Sequence, residues 1–253
     1  MTLLAVERIK LFTTRSPWWC MLMTLVVTVG FAALVTGTSN SDDPISVSTT
    51  QFGYGFGLVV IMVMAALAVT TEYRFGTIRA TFQAVPSRTA ALLAKTTVVA
   101  LLAGVVGEIT AFGSWGISKL LKPSADLGIN TAYEWRVVAG TGLIYGFAAI
   151  IAVAVGTMIR HSAGAISLVL IYSQLAENLV QIIPNAGPKI HRWLPFNMAH
   201  HFLTGAPDVN VRPGDGPPLS EITYSPWVGL LFFAGFAVVL LIISLWVVNR
   251  RDA

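Results

Sequence analysis

The chain has 253 residues, of which 55% are hydrophobic and only 11% charged, with a formal net charge of +4. Soluble domains carry about 25% charged residues, so the composition excludes a soluble globular protein and predicts an all-α integral membrane protein forming one transmembrane domain over residues 1–253. The cations fall where membrane topology uses them, which argues against nucleic acid as a partner. The single Cys20 excludes an internal disulfide or a cysteine metal cluster.

Residues 1–17 read as an amphipathic elbow helix at the membrane surface. Ala5, Ile9 and Phe12 recur at helical spacing, with Val6 beside them, whereas Glu7, Arg8, Lys10, Thr14 and Arg15 fall on the other arc. Pro17 then separates the elbow from the first span. The apolar run from Trp18 to about Val35 is longer than the roughly 7–15 residues of a signal core, so it reads as a span rather than a cleaved signal.

A bilayer core about 30 Å thick needs about 20 apolar residues per helix. Six stretches qualify, at 18–37, 52–71, 89–117, 136–159, 163–183 and 227–248. The third is long enough to tilt or to extend beyond the bilayer. Ten of the 16 Lys and Arg residues flank one side: Arg8, Lys10, Arg15, Arg74, Arg79, Arg88, Lys95, Arg160, Arg250 and Arg251. The first opposite loop carries Asp42 and Asp43 and no cation. The positive-inside rule therefore places both termini in the cytoplasm.

The segment 72–87, between the second and third spans, is the most structured of the polar interruptions. Glu72 ends the second span, with Arg74 beyond it. Gly76 can take the left-handed conformation that terminates a helix, and Thr77 can cap a new one. A short helix carrying Arg79 then runs to about Ala84, Val85 before Pro86 ends it, and Ser87 caps the third span. An ordinary positive-inside loop needs cations but not these punctuating residues.

Inside the spans, ionisable residues are costly and face the protein interior. Glu108 lies in the third span among Gly104, Gly107, Gly113 and Gly116, which permit close helix approach. In the fifth span Ser167, Gln174, Asn178 and Gln181 recur on one helical face with Glu177 beside them. That stripe is read as a candidate translocation path, and interhelical hydrogen bonding is the competing reading. The loop 184–225 holds seven prolines. Its first half, His191 to Phe202, is aromatic and amphipathic and fits an interfacial or re-entrant helix before the sixth span. Its second half, Gly205 to Ser220, reads as an exposed turn-rich connection.

Catalytic motifs are missing. The sequence has no phosphate loop, no H-E-x-x-H and no G-x-S-x-G. Adjacent His200 and His201 point in different directions from a helix and read as interfacial polar residues rather than metal ligands.

The pattern Glu72, Gly76 and Thr77, followed by Ile78-Arg79-Ala80-Thr81 and Pro86, resembles the first cytoplasmic loop of ABC-transporter permeases of the type-2 exporter group, which serve drug, lipid and polysaccharide export. The elbow, six spans and long loop before the last span fit the same layout, and Leu194-Pro195-Phe196 looks like its pre-helix element. The resemblance implies a permease subunit in the bacterial plasma membrane, paired with a second copy or a homologue. Its segment 72–87, with Glu72, Arg74, Gly76, Thr77 and Arg79, would be a coupling helix docked on separate ATPase subunits. ATP and Mg²⁺ would be bound by those subunits and not by this chain. The cargo, a small molecule or lipid, is not implied. Two other readings stand beside it: an ion-coupled secondary transporter relaying through Glu108 and Glu177, and a non-transporting membrane scaffold or sensor.

Overall fold

The computed structural model describes residues 2–39, 45–85, 87–205 and 222–250. Asp42, Asp43, Pro86, Arg251 and the segment 206–221 lie outside the described residues. All regular structure among the described residues is helical. The order is α1 (Leu3–Thr13), α2 (Arg15–Thr38), α3 (Tyr54–Arg74), α4 (Thr77–Ala84), α5 (Arg88–Leu121), α6 (Ala132–Ile159) and α7 (Ser162–Leu170). The chain continues through a π-helical segment (Ile171–Ala176) into α8 (Glu177–Val180), then α9 (Gly187–His191), α10 (Pro195–Thr204) and α11 (Pro226–Arg250).

Six helical stretches are long and apolar enough to cross a membrane: Arg15–Thr38, Thr49–Arg74, Arg88–Leu121, Ala132–Ile159, Ser162–Val180 and Pro226–Arg250. They coincide with the six expected spans. α5, at 34 residues, is about 51 Å long at 1.5 Å per residue. It exceeds the hydrocarbon thickness, as the sequence predicted.

The core is centred on α6, the most buried of the six. Small residues set its distance from its neighbours. A Cβ on Gly107 of α5 would approach the Gly142 Cα of α6 to 2.8 Å, and one on Gly156 of α6 would come within 2.7 Å of Val69 Cγ1 in α3. Several threonine hydroxyls inside the spans donate to carbonyls one turn back, as Thr70 does to Ala66 O (2.9 Å) and Thr157 to Val153 O (2.8 Å). Their polar groups are thus satisfied within their own helices. Thr36 Oγ1 and Ser118 Oγ, 2.8 Å apart, link α2 to α5 across the packed face. Thr131 and Glu134 form a capping box that starts α6.

Two boundaries differ from expectation. The elbow ends at Thr14, whose ψ of 145° is extended, and α2 starts at Arg15. Pro17 therefore sits in the first turn of α2, where its missing N–H costs nothing, rather than forming the break. Thr77 is the first residue of α4 and not its cap. That position belongs to Gly76 at φ 70°, and the Thr77 hydroxyl turns back to donate to Glu72 O at 3.5 Å. It satisfies a carbonyl left over at the end of α3.

Candidate functional site

At the end of the bundle that carries α1 and α4, the segment after α3 is built as a bounded unit. Phe75 N–H donates to Thr71 O (3.0 Å) and Gly76 N–H to Tyr73 O (3.3 Å), closing α3 before the left-handed Gly76 turns the chain. In α4, Ile78 is buried and anchors the helix, while Arg74, Phe75 and Arg79 are exposed. Val85 N–H closes the far end on Thr81 O at 3.1 Å. Ser87 then caps α5, accepting from Ala90 N–H at 3.3 Å.

Directly beneath α4 lies a cluster of four charges from three helices. Lys95 of α5 is only 6% exposed. Its Nζ donates to Glu7 Oε2 of α1 at 2.5 Å and to Glu72 Oε1 of α3 at 2.8 Å. Lys10 of α1 donates to Glu7 Oε1 at 2.8 Å, lies 3.5 Å from Glu72 Oε1, and donates to Thr81 Oγ1 of α4 at 2.9 Å. Two carboxylates and two ammonium groups sum to zero, so the cluster is neutral where burial would penalise net charge. Burial opposes the Glu7 charge, but the Lys95 ammonium and the hydrogen bonds from Lys10 and Lys95 outweigh it, and the carboxyl titrates below its ordinary 4.5. Burial likewise opposes the Lys10 charge. The bond to Glu7 and the charge of Glu72 prevail and hold its ammonium above the ordinary 10.5. Helical periodicity put Glu7 and Lys10 on the polar arc of the elbow, and in the fold that arc meets buried counter-charges on α3 and α5.

A cavity of about 850 Å³ opens at the other end of the bundle, between the fifth span, α3, α9, α10 and the residues just before α11. Gln174, Glu177, Asn178 and Gln181 line it together with Tyr54, His200 and Asn197. Ser167 is exposed and does not line it. The π segment lies between Ser167 and Glu177 and breaks the regular register on which a common face was reasoned. Glu177 is 3% exposed. Its carboxylate accepts from Phe196 N–H (3.0 Å) and Asn197 N–H (2.9 Å), so it caps the N-terminus of α10 from another helix. Asn178 Nδ2 donates to Gln174 O (2.8 Å), and Gln181 Nε2 donates to His191 Nε2 (2.8 Å). His200 Nδ1 shares a 2.6 Å hydrogen bond with the Tyr54 hydroxyl.

Of the two histidines read as interfacial, His200 is half-buried on the cavity wall and His201 is packed inside. His201 is fully buried, and its Nε2–H donates to Tyr224 O at 2.9 Å, tying α10 to the residues before α11. Burial lowers its imidazole below the ordinary 6.5, and the nearby Arg136 charge adds to this. Glu108 lies apart from the cavity, half-buried on α5 against Gly142 of α6, where an added Cβ would overlap its carboxyl. Gly104 and Gly107 pack around the same crossing, whereas Gly113 faces Val29 of α2 and Gly116 has open space.

A family model described as ABC-2 family transporter protein matches residues 3–176. The chain belongs to the ABC-2 transporter family. No match was found among curated proteins. The family match runs from the elbow to the end of the π segment, so it covers the four-charge cluster and α4, and stops immediately before Glu177. Membership makes the chain a multi-pass membrane component of an ABC transporter, a permease that does not carry the ATPase site itself.

Sequence reasoning about this ABC-2 permease missed Glu7, Lys10 and Lys95 as a unit. The available signal was Lys95 itself, eight residues into an apolar helix, where an ammonium requires a counter-charge. It also missed Tyr54, Asn197 and His200 beside the fifth-span polar residues, because only the folding of α9 and α10 over the bundle brings them there.

Proposed function

We propose that this ABC-2 chain is the permease of an ATP-driven exporter in the bacterial plasma membrane, with both termini cytoplasmic. It works as a pair with a second copy or a homologous permease and is driven by separate ATPase subunits, which supply ATP and Mg²⁺. The ATPase docks on the end of α3 through Arg74 and on α4 through Arg79. Closure of the ATPase pair pushes α4, and the push enters α3 through Gly76 and α5 through Ser87. Gln174, Glu177, Asn178 and Gln181, which line the cavity, belong to the path of the cargo, whereas Ser167 and Glu108 lie away from it.

The observation that supports this reading best is α4 itself, a short helix with one buried anchor, an exposed Arg79 beside the exposed Arg74 at the end of α3, and a defined break at each end. Glu72, held in the buried cluster, takes part in fixing α4 and α1 rather than in touching the ATPase. The Glu177 carboxylate is already engaged by two backbone N–H groups, which counts against the ion-relay alternative.

The test is reconstitution of the chain with its ATPase in vesicles. The chain alone hydrolyses no ATP, transport requires ATP, and Arg74→Glu with Arg79→Glu separates ATP hydrolysis from transport while leaving the fold intact. Transport that persists without ATP and collapses with an ionophore would overturn the proposal.

A further inference from the structure

The four-charge cluster has a consequence for the residue beside it. Glu7 is the single acidic residue of α1, and it is fully engaged by Lys95 and Lys10. Arg8 is exposed and has no ion pair among the described residues. It is one of the residues lining a groove of about 450 Å³ between α1 and α5. The groove walls are apolar and include Leu4, Phe12, Leu101 and Val105. Leu101 is 66% exposed and Val105 56% exposed, and both belong to a membrane-spanning helix, where acyl chains are at hand to cover them. The α5 wall from Val98 to Val105 runs about 10 Å along the helix axis. A single guanidinium without an ion pair among the described residues, lining an otherwise apolar slot, matches one kind of molecule in its surroundings, a lipid with an anionic head and hydrocarbon chains.

We infer that the α1–α5 groove is a binding site for one anionic phospholipid, whose phosphate pairs with Arg8 and whose acyl chain lies along Leu101 and Val105. A guanidinium binds phosphate oxygens with two parallel hydrogen bonds, and the neutral cluster behind it leaves the positive charge of Arg8 to the headgroup. The site would join the elbow to the leaflet at the point where α1 is fastened to α3 and α5. It is independent of the cargo path and of any ATPase.

The test uses the full chain, delipidated in detergent, with retained lipid counted by native mass spectrometry. Phosphatidylglycerol is added in one arm, phosphatidylcholine in another, and inorganic phosphate in competition in a third. One phosphatidylglycerol is retained about tenfold more strongly than phosphatidylcholine, whose phosphate charge is offset by its own choline cation. Arg8→Gln, at an exposed position, brings phosphatidylglycerol down to the phosphatidylcholine level. Val105→Trp fills the slot and lowers retention of both lipids with Arg8 intact. Equal retention of the two lipids, retention unchanged in Arg8→Gln, or displacement by free phosphate would overturn the site. So would a result in which Val105→Trp breaks a dimer of the chain without changing lipid retention, since the groove would then be a contact between copies.

Discussion

Lys95→Met removes the charge that holds the elbow to the bundle. Lys95 contacts Glu7 at 2.5 Å and Glu72 at 2.8 Å. With an effective dielectric constant of 20, a bare Coulomb attraction at such separations is about 6 kcal/mol per contact, before the cost of desolvation is subtracted. Breaking a buried pair from one side costs about 3–5 kcal/mol, because the orphaned charge stays buried. Lys10 remains 2.8 Å from Glu7 and 3.5 Å from Glu72, so the lower part of that range, about 3 kcal/mol, is expected. Adding Glu7→Gln to Lys95→Met leaves one Glu72–Lys10 pair and should restore about 2 kcal/mol. The assay is unfolding in mixed micelles of the two single variants and the double variant, with hydrogen exchange reporting on α1. Glu7 also gives the parent an acid limb. Its lowered titration means the stabilisation is present above 4.5 and is lost as pH falls through the depressed value, and Lys95→Met should flatten that limb. A loss below about 1 kcal/mol for Lys95→Met, or strictly additive effects in the double variant, would refute the coupling of these charges.

Other outcomes follow from single residues. Gly76→Ala meets no atom within 4 Å but keeps φ 70°, so it should cost about 1 kcal/mol from backbone strain alone, with Gly76→Asn costing less, as unfolding curves would show. Glu177→Gln trades a carboxylate that receives two N–H bonds for a neutral amide, and should raise hydrogen exchange at Phe196 and Asn197, with about 1–2 kcal/mol lost. His201 is held neutral below its ordinary 6.5. Its packing contribution is therefore complete above 6.5 and is lost as pH falls through the lowered value. Exchange in α10 should rise on acidification in the parent and not in His201→Gln.

The six spans were legible because apolar runs of this length have one structural solution in lipid. The break at Gly76 was legible for a local reason, since a left-handed residue between two helices favours glycine. The four-charge cluster was not. Periodicity assigns Glu7 to a polar face, but whether that face meets water or Lys95 depends on where α1 lies, which a pairing 88 residues distant decides. The polar lining of the fifth span was visible from Gln174 onward. Ser167 was grouped with it because spacing arguments assume 3.6 residues per turn throughout, and the π segment violates that assumption between them. The role of Glu177 as a cap for α10 required knowing that Phe196 and Asn197 return to it from about 20 residues downstream.

That π segment also makes two structural facts into one. A π turn is a residue's worth of slack wound into an otherwise regular rod, and pulling it out would rotate everything after Ile171 by about 100° around the axis. Glu177 stands at the far end of that slack, gripping the first turn of α10. Straightening the fifth span would tear the carboxylate from those amides, and freeing the amides would remove what pins the rotation. The bulge and the cap therefore act as the two halves of a clasp. The orientation of the cavity-lining side chains and the seating of α10 are one degree of freedom.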